Sequence, residues 1–320
     1  MQRWGVAALV IAASAGLIVG GAQAQGDGQT APALVVEEYP IVAAADDTPD
    51  HFEFKQRISD QILDVRRAWR EPDAAAQLEA TNQIIGQWSY VLLPMGDGND
   101  ALYSLVPDQE LLVPDVTHIY PVTVNASGTD FWMLIDTSTQ GTMFVAGQWL
   151  GVIDMTTFIS IAPVYVGDDL IEVSADWNAN QFQVLRNGEV IYTYAPGEMF
   201  VEPPVHSLWS WDGHWVLEVE GDVIIDGASA KTDPGYDEMF GWQLIAGQPF
   251  FFFKKTDFVT QVSTFGMSYA GQEIEPYRYQ EVIHYRCCEG SMFNISGNGT
   301  MVWFYALRDG TWYYVEAGVY

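Results

Sequence analysis

Leu208-Trp209-Ser210-Trp211-Asp212-Gly213-His214-Trp215-Val216-Leu217 reads as strand, turn, strand, with apolar and aromatic residues running up to an Asp-Gly pair and away from it again. Asp-Gly supplies two residues that tolerate positive φ, which the two-residue turn of a right-twisted hairpin requires. Further on, Ile224-Ile225-Asp226-Gly227 ends the next strand with the same pair, and Asn187-Gly188 and Asp309-Gly310 repeat the signal on either side. Worked outward from this stretch, paired strands recur at 131–136 with 142–146, 170–175 with 182–187, 214–220 with 222–226, 250–255 with 265–270, and 302–308 with 311–317. The glycines that close them, Gly147, Gly188, Gly227, Gly271 and Gly318, are 41, 39, 44 and 47 residues apart. A fainter copy, Tyr90–Pro94 and 101–106 around Gly96-Asp97-Gly98-Asn99, brings the number to six.

A single twisted sheet cannot cover both of its own faces, so repeats of this length stack around an axis and bury one another. Further strands at 206–211 and 236–244 precede two of the hairpins, which makes four strands per unit. The run from Leu208 to Leu217, followed by Ile224-Ile225-Asp226-Gly227 and Tyr236-Asp237, resembles the WD40-like repeats of TolB-type periplasmic beta-propellers. The stretches from Phe250 through Ser268-Tyr269-Ala270-Gly271 to Tyr279, and from Trp303 to Gly318, repeat the outline, although most copies lack the family's Ser-Pro-Asp-Gly. The repeats give the expectation of an all-β fold, a six-bladed propeller of four-stranded antiparallel blades over 87–320, and the resemblance implies that such a propeller is used chiefly as a binding platform. Such a scaffold leaves the particular function to its sites.

Composition agrees with a packed β domain: of 320 residues, 49% are apolar and 14% aromatic, enough to fill a large core. At the start, Arg3 precedes an apolar run from Trp4 to Gly21, and Ala22-Gln23-Ala24 fits the small-x-small rule of signal-peptide cleavage. Residues 1–24 are therefore expected to be a signal peptide, and no Cys follows it to carry a lipid anchor. The expected location is secreted or periplasmic, with no membrane span after cleavage. Without those residues the chain has 12 basic against 42 acidic residues, a surface that repels nucleic acid and anionic membranes.

Residues 25–50 form a linker in which 25–32 is polar and 33–42 has the apolar content of a strand, placed to complete the last blade. The segment 51–86 changes period: Phe54, Ile58, Ile62, Val65 and Trp69 share one helical face, Glu71-Pro72 ends that helix, and Asp73 can cap a second one running to Ile85.

Candidate chemistry is sparse. His118, His206 and His284 each precede a repeat, in strands expected innermost, where Trp209 and Arg286 would join them around a central channel as a ligand or metal site. Asp97, Asn99 and Asp100 place oxygen ligands at a hairpin tip and could hold calcium, although the full spaced loop with its terminal Glu is missing. Cys287-Cys288 can close a strained vicinal disulfide, stay as two thiols, or serve a metal or a second chain. Glu218 and Glu220 alternate with Leu217 and Val219 and are expected in solvent. No nucleophile elbow, phosphate-cradling glycine loop or ordered Ser/His/Asp set occurs. The expectation is a noncatalytic binding propeller for an envelope protein or polysaccharide, needing no cofactor. The alternative is a calcium-dependent lactonase-like hydrolase with its site in the channel.

Overall fold

The computed structural model describes residues 32–41, 74–95, 99–105, 108–139, 141–147, 149–152, 161–176, 178–196, 204–232, 234–284 and 293–319. The expected signal peptide, the first helix at 54–70, Asp97, Arg286 and the Cys287-Cys288 pair lie outside them.

The first strand, β1 (Val35–Ile41), precedes one helix, α1 (Ala74–Ile85), which ends in a 3-10 turn at Gly86–Trp88. A seven-stranded antiparallel sheet follows, built from β2 (Tyr90–Pro94), β3 (Asp100–Ser104), β4 (Glu110–Ile119), β5 (Thr123–Val124), β6 (Phe131–Thr137), β7 (Gly141–Ala146) and β8 (Trp149–Val152). Three four-stranded meanders come next. The second sheet is β9 (Val164–Val166), β10 (Asp169–Asp176), β11 (Gln181–Arg186) and β12 (Glu189–Tyr194). The third is β13 (Val205–Trp211), β14 (His214–Val219), β15 (Asp222–Ile225) and β16 (Ala228–Ser229). The fourth is β17 (Glu238–Ile245), β18 (Gln248–Thr256), β19 (Ser263–Tyr269) and β20 (Gln272–Glu273). The fifth joins β21 (Glu281–Val282), β22 (Ser296–Gly297), β23 (Met301–Arg308) and β24 (Thr311–Gly318) to the distant β1.

The fold is all-β and propeller-like: antiparallel sheets follow one another along the chain, and each packs on the next. Tyr165 of the second sheet donates its hydroxyl to Asp130 beside the first, at 2.9 Å. Ile171, Val173 and Phe182 of the second sheet meet Trp215 and Leu217 of the third. Val216 and Val223 of the third meet Trp242 and Phe253 of the fourth, and Phe250 and Phe252 of the fourth meet Phe304 and Val315 of the fifth. Full burial of one such side chain is worth about 1.5–3 kcal/mol, so the sheet faces rather than the ladders carry most of the stability. Among the described residues there are five sheets. The two earliest sequence copies do not separate, because β4 pairs with both β3 and β6 and draws them into one sheet.

The turns explain the regularity of the later sheets. Asn187, Asp212, Asp226 and Asp309 have φ between 48° and 52°, and the glycine after each is also positive. Those two consecutive left-handed residues are what a tight hairpin needs.

β1 runs antiparallel to β24 in unbroken register, from Val35 opposite Gly318 to Ile41 opposite Trp312. Glu38 fastens this seam. Its two carboxylate oxygens accept from the two terminal nitrogens of Arg308, at 2.8 and 2.7 Å, and the Tyr279 hydroxyl donates to the same carboxylate at 2.8 Å. The Arg308 guanidinium lies over the Tyr313 and Tyr279 rings, 5.0 and 5.8 Å from their centroids. Burial, then the bond to Glu38, push the Tyr279 phenol far above its ordinary pKa, and the bond to Glu38 raises that of Arg308. No helix among the described residues is long and apolar enough to cross a membrane.

Candidate functional site

The first strands of the third and fourth sheets converge with the segments flanking β21 and β22 on a cavity of about 1300 Å³. β13 contributes His206, Ser207 and Trp209, β17 contributes Phe240, Trp242 and Gln243, and His284 enters from just beyond β21. Ile161, ahead of β9, closes one side. Three of the five residues expected around a channel, His206, Trp209 and His284, thus share one wall system. His118 stands apart in β4 of the first sheet, opposite Asp136 and edge-on to the Tyr120 ring.

Two irregularities shape the wall. The β13–β14 register shifts between Val205 and Ser207, so His206 is an extra residue thrown outward and exposed. The β17–β18 register shifts between Phe240 and Gln243, around Gly241 at φ 64°. A Cβ at Gly241 would come within 3.1 Å of both Ile295 and Phe252, so glycine serves both the backbone conformation and the close approach.

The bulge turns two backbone N–H groups toward a carboxylate. Gly241 N–H donates to Glu218 Oε1 at 2.7 Å, and Trp242 N–H to Glu218 Oε2 at 3.2 Å. Ser207 Oγ–H donates to Oε2 at 3.0 Å, and the Trp209 indole N–H donates in turn to Ser207 Oγ at 2.9 Å. Glu218 retains only 8% exposure, which corrects the expectation of a solvated side chain; Glu220 is exposed as expected. The reason is stacking: in β14 every residue from Trp215 to Val219 is buried, so both of its faces meet protein and alternation no longer marks a solvent side. A buried carboxylate needs donors, and the neighbouring sheet supplies them from its bulge.

Aromatic contacts brace the same wall. The Trp209 and Trp242 ring centroids are 5.7 Å apart at 55°. His284 stacks on Phe240, 4.1 Å between centroids and 16° from parallel. Its Nδ1 lies 2.7 Å from the Val282 carbonyl oxygen, an acceptor only, so the proton is on Nδ1. The Gln243 carboxamide lies over Gly297, where any Cβ would collide with its oxygen. Lys231 Nζ donates to the Gly221 carbonyl at 3.2 Å, and Glu238 pairs with Lys254 at 2.7 Å.

The other expected oxygen cluster is a hairpin. The Asn99 carbonyl accepts from Met95 N–H at 2.6 Å, and Asp100 sits in β3 opposite Pro94, with burial raising its pKa. Among the described residues no group of three or more His, Cys, Asp or Glu is arranged to hold a metal ion. Sequence reading missed Glu218, Ser207 and Gly241. The available signal was Gly241 itself, a glycine between Phe240 and Trp242 in a strand interior, the mark of a bulge.

No protein-family model matches the chain, and no curated protein matches it. Among solved structures it is similar to BBS1N in two crystal structures of its complex with ARL6DN, one soaked with lead and one with mercury. Identity is 10% in both, with TM-scores of 0.29 and 0.28; the matches cover 72% of this chain and 75% and 74% of those chains. The propeller-like description therefore rests on this chain's own sheet order and packing.

Proposed function

We propose that this chain is an exported, noncatalytic binding protein of the cell envelope, and that it takes a protein or glycan partner at the cavity walled by β13, β17 and His284. The observation that carries this reading is the convergence of His206 and Trp209, both from β13 of the third sheet, with His284, from just beyond β21, on one cavity of about 1300 Å³. Recognition sites are concave, mixed in polarity and braced from behind, and this wall has those features. The signal-like segment at 1–24 and the acidic composition support export and a soluble life outside the cytoplasm.

Two measurements test the reading together. Full-length protein is expressed in a bacterial host and fractionated, with mass spectrometry of its N-terminus; export with a new N-terminus at Gln25 is expected, and retention of intact protein in the cytoplasm overturns the location. Immobilised mature protein and its Trp209→Ala variant are then exposed to envelope extract. Retention of an envelope component by the first and at least tenfold less by the second is expected. Equal retention by both removes the cavity from the reading, and calcium-stimulated turnover of an ester or lactone replaces it with the hydrolase alternative.

A further inference from the structure

Building on the cavity as the binding site, we infer that its ligand is a neutral oligosaccharide. The Trp209 indole N–H is already committed to Ser207, so what the half-buried ring has left to offer the cavity is aromatic carbon rather than a donor. Trp242, almost fully buried, packs against it. A fixed aromatic face accepts the C–H face of a sugar ring, whose hydrogens are polarised by the neighbouring hydroxyls. Around that platform stand His206, Glu220 and Gln243, whose planar nitrogen and oxygen groups suit the hydroxyls at a sugar's edge.

A peptide fits this wall less well. An added peptide strand needs a straight run of open backbone groups, and among the described residues β13 and β17 each pair on one side only, with β14 and β18. Both are interrupted by bulges, and the N–H groups of Gly241 and Trp242 are taken by Glu218. Charge selects further: Glu218, Glu220 and Glu238 stand on the wall beside Lys231, in a chain of net charge −29, which disfavours an anionic glycan. The volume, about 1300 Å³, exceeds the roughly 300–1,000 Å³ of ordinary small-molecule pockets and leaves room for several sugar units.

The test is titration of the mature protein with the neutral probes N,N′,N″-triacetylchitotriose, maltotriose and cellotriose, with trigalacturonic acid as the anionic probe, read by tryptophan fluorescence and saturation-transfer NMR. At least one neutral probe is expected to bind with Kd below about 1 mM, and the anionic probe at least tenfold more weakly. Trp209→Ala should weaken the binding tenfold or more while Trp209→Phe, which keeps a ring and guards against misfolding, stays within about threefold. Gly297→Ala, which pushes the Gln243 carboxamide aside, should weaken it about fivefold. Absence of neutral-probe binding below about 10 mM, or equal binding of the anionic probe, overturns the glycan inference. If an envelope protein is then still captured in a Trp209-dependent way, the cavity survives as a binding site and only its ligand class is wrong; if Trp209 matters for neither, both readings fall.

Discussion

The seam between β1 and β24 and the wall between β14 and β17 both centre on a glutamate with three donors, yet they are built in opposite ways. At the seam the ladder is unbroken, and Glu38 draws on Arg308 and Tyr279 side chains that lie across the sheet. At the wall the ladder is broken, and Glu218 draws on two backbone N–H groups that the break releases. A carboxylate satisfied by side chains locks a geometry that already exists. A carboxylate satisfied by displaced backbone maintains a geometry that would otherwise revert to a regular strand. The seam is therefore a fastening and the wall is a shape.

The largest effect should come from the wall. Glu218→Ala strips the acceptor from Gly241, Trp242 and Ser207 at once, and leaving such buried donors unmet should cost about 3 kcal/mol. Urea unfolding measures this, and a loss under about 1 kcal/mol would mean that the bulge stands without its carboxylate.

Next, Glu38→Ala should cost about 2 kcal/mol, since a bidentate pair and a hydroxyl bond go together, with Arg308 and Glu38 29% and 15% exposed. Arg308→Ala should cost a similar amount, and the double variant little more than either single one. Hydrogen exchange should show the loss confined to β1 and β24, with Trp209 fluorescence unchanged. Spread of the loss into β17 would erase the distinction between the two regions.

A smaller effect appears in alkali. Burial raises the Tyr279 and Tyr305 phenols above the ordinary value, so the folded state holds those protons more tightly than the unfolded chain does. Their contribution is intact below about pH 10 and is lost as pH rises beyond it, because the unfolded phenols ionise first. Tyr279→Phe should flatten that slope while weakening the seam, and thermal unfolding at pH 8 and pH 10.5 compares the two.

The smallest test is a carboxylate with a burial cost. Glu172 in β10 is raised in pKa by desolvation, so its charge opposes folding above about pH 4.3 and not below it. Glu172→Gln should raise the urea midpoint slightly at pH 7 and leave it unchanged at pH 3.5. A gain at Glu172 beside losses at Glu38 and Glu218 would separate carboxylates with a task from one without.

What could be read from residues alone follows the same division. The hairpins were legible because their signal is local: Asp212-Gly213, Asp226-Gly227 and Asp309-Gly310 need only their own backbones to turn. The apolar stretch behind β1 was readable as a strand. Its partner was an inference from the need to complete a sheet, because the pairing spans the chain. His206 and Trp209 could be assigned to the first strand of a repeat from their order in it. Glu218 could not be assigned correctly, because its surroundings belong to another sheet, and a glutamate alternating with leucine and valine looks the same whether the other face meets water or a bulge. His118, expected beside them, instead lies in β4, which pairs on both sides and draws two early copies into one sheet.

The bond between Glu38 and Arg308 joins residues 270 positions apart. A ribosome makes β1 long before β24, so the fifth sheet cannot be completed until the chain through β24 has been made. Until then β1 must wait without the strand it pairs with. Completion of this sheet thus waits on β24: a polypeptide truncated before Thr311 can form the other four sheets of the described residues and still lacks the strand on which β1 pairs.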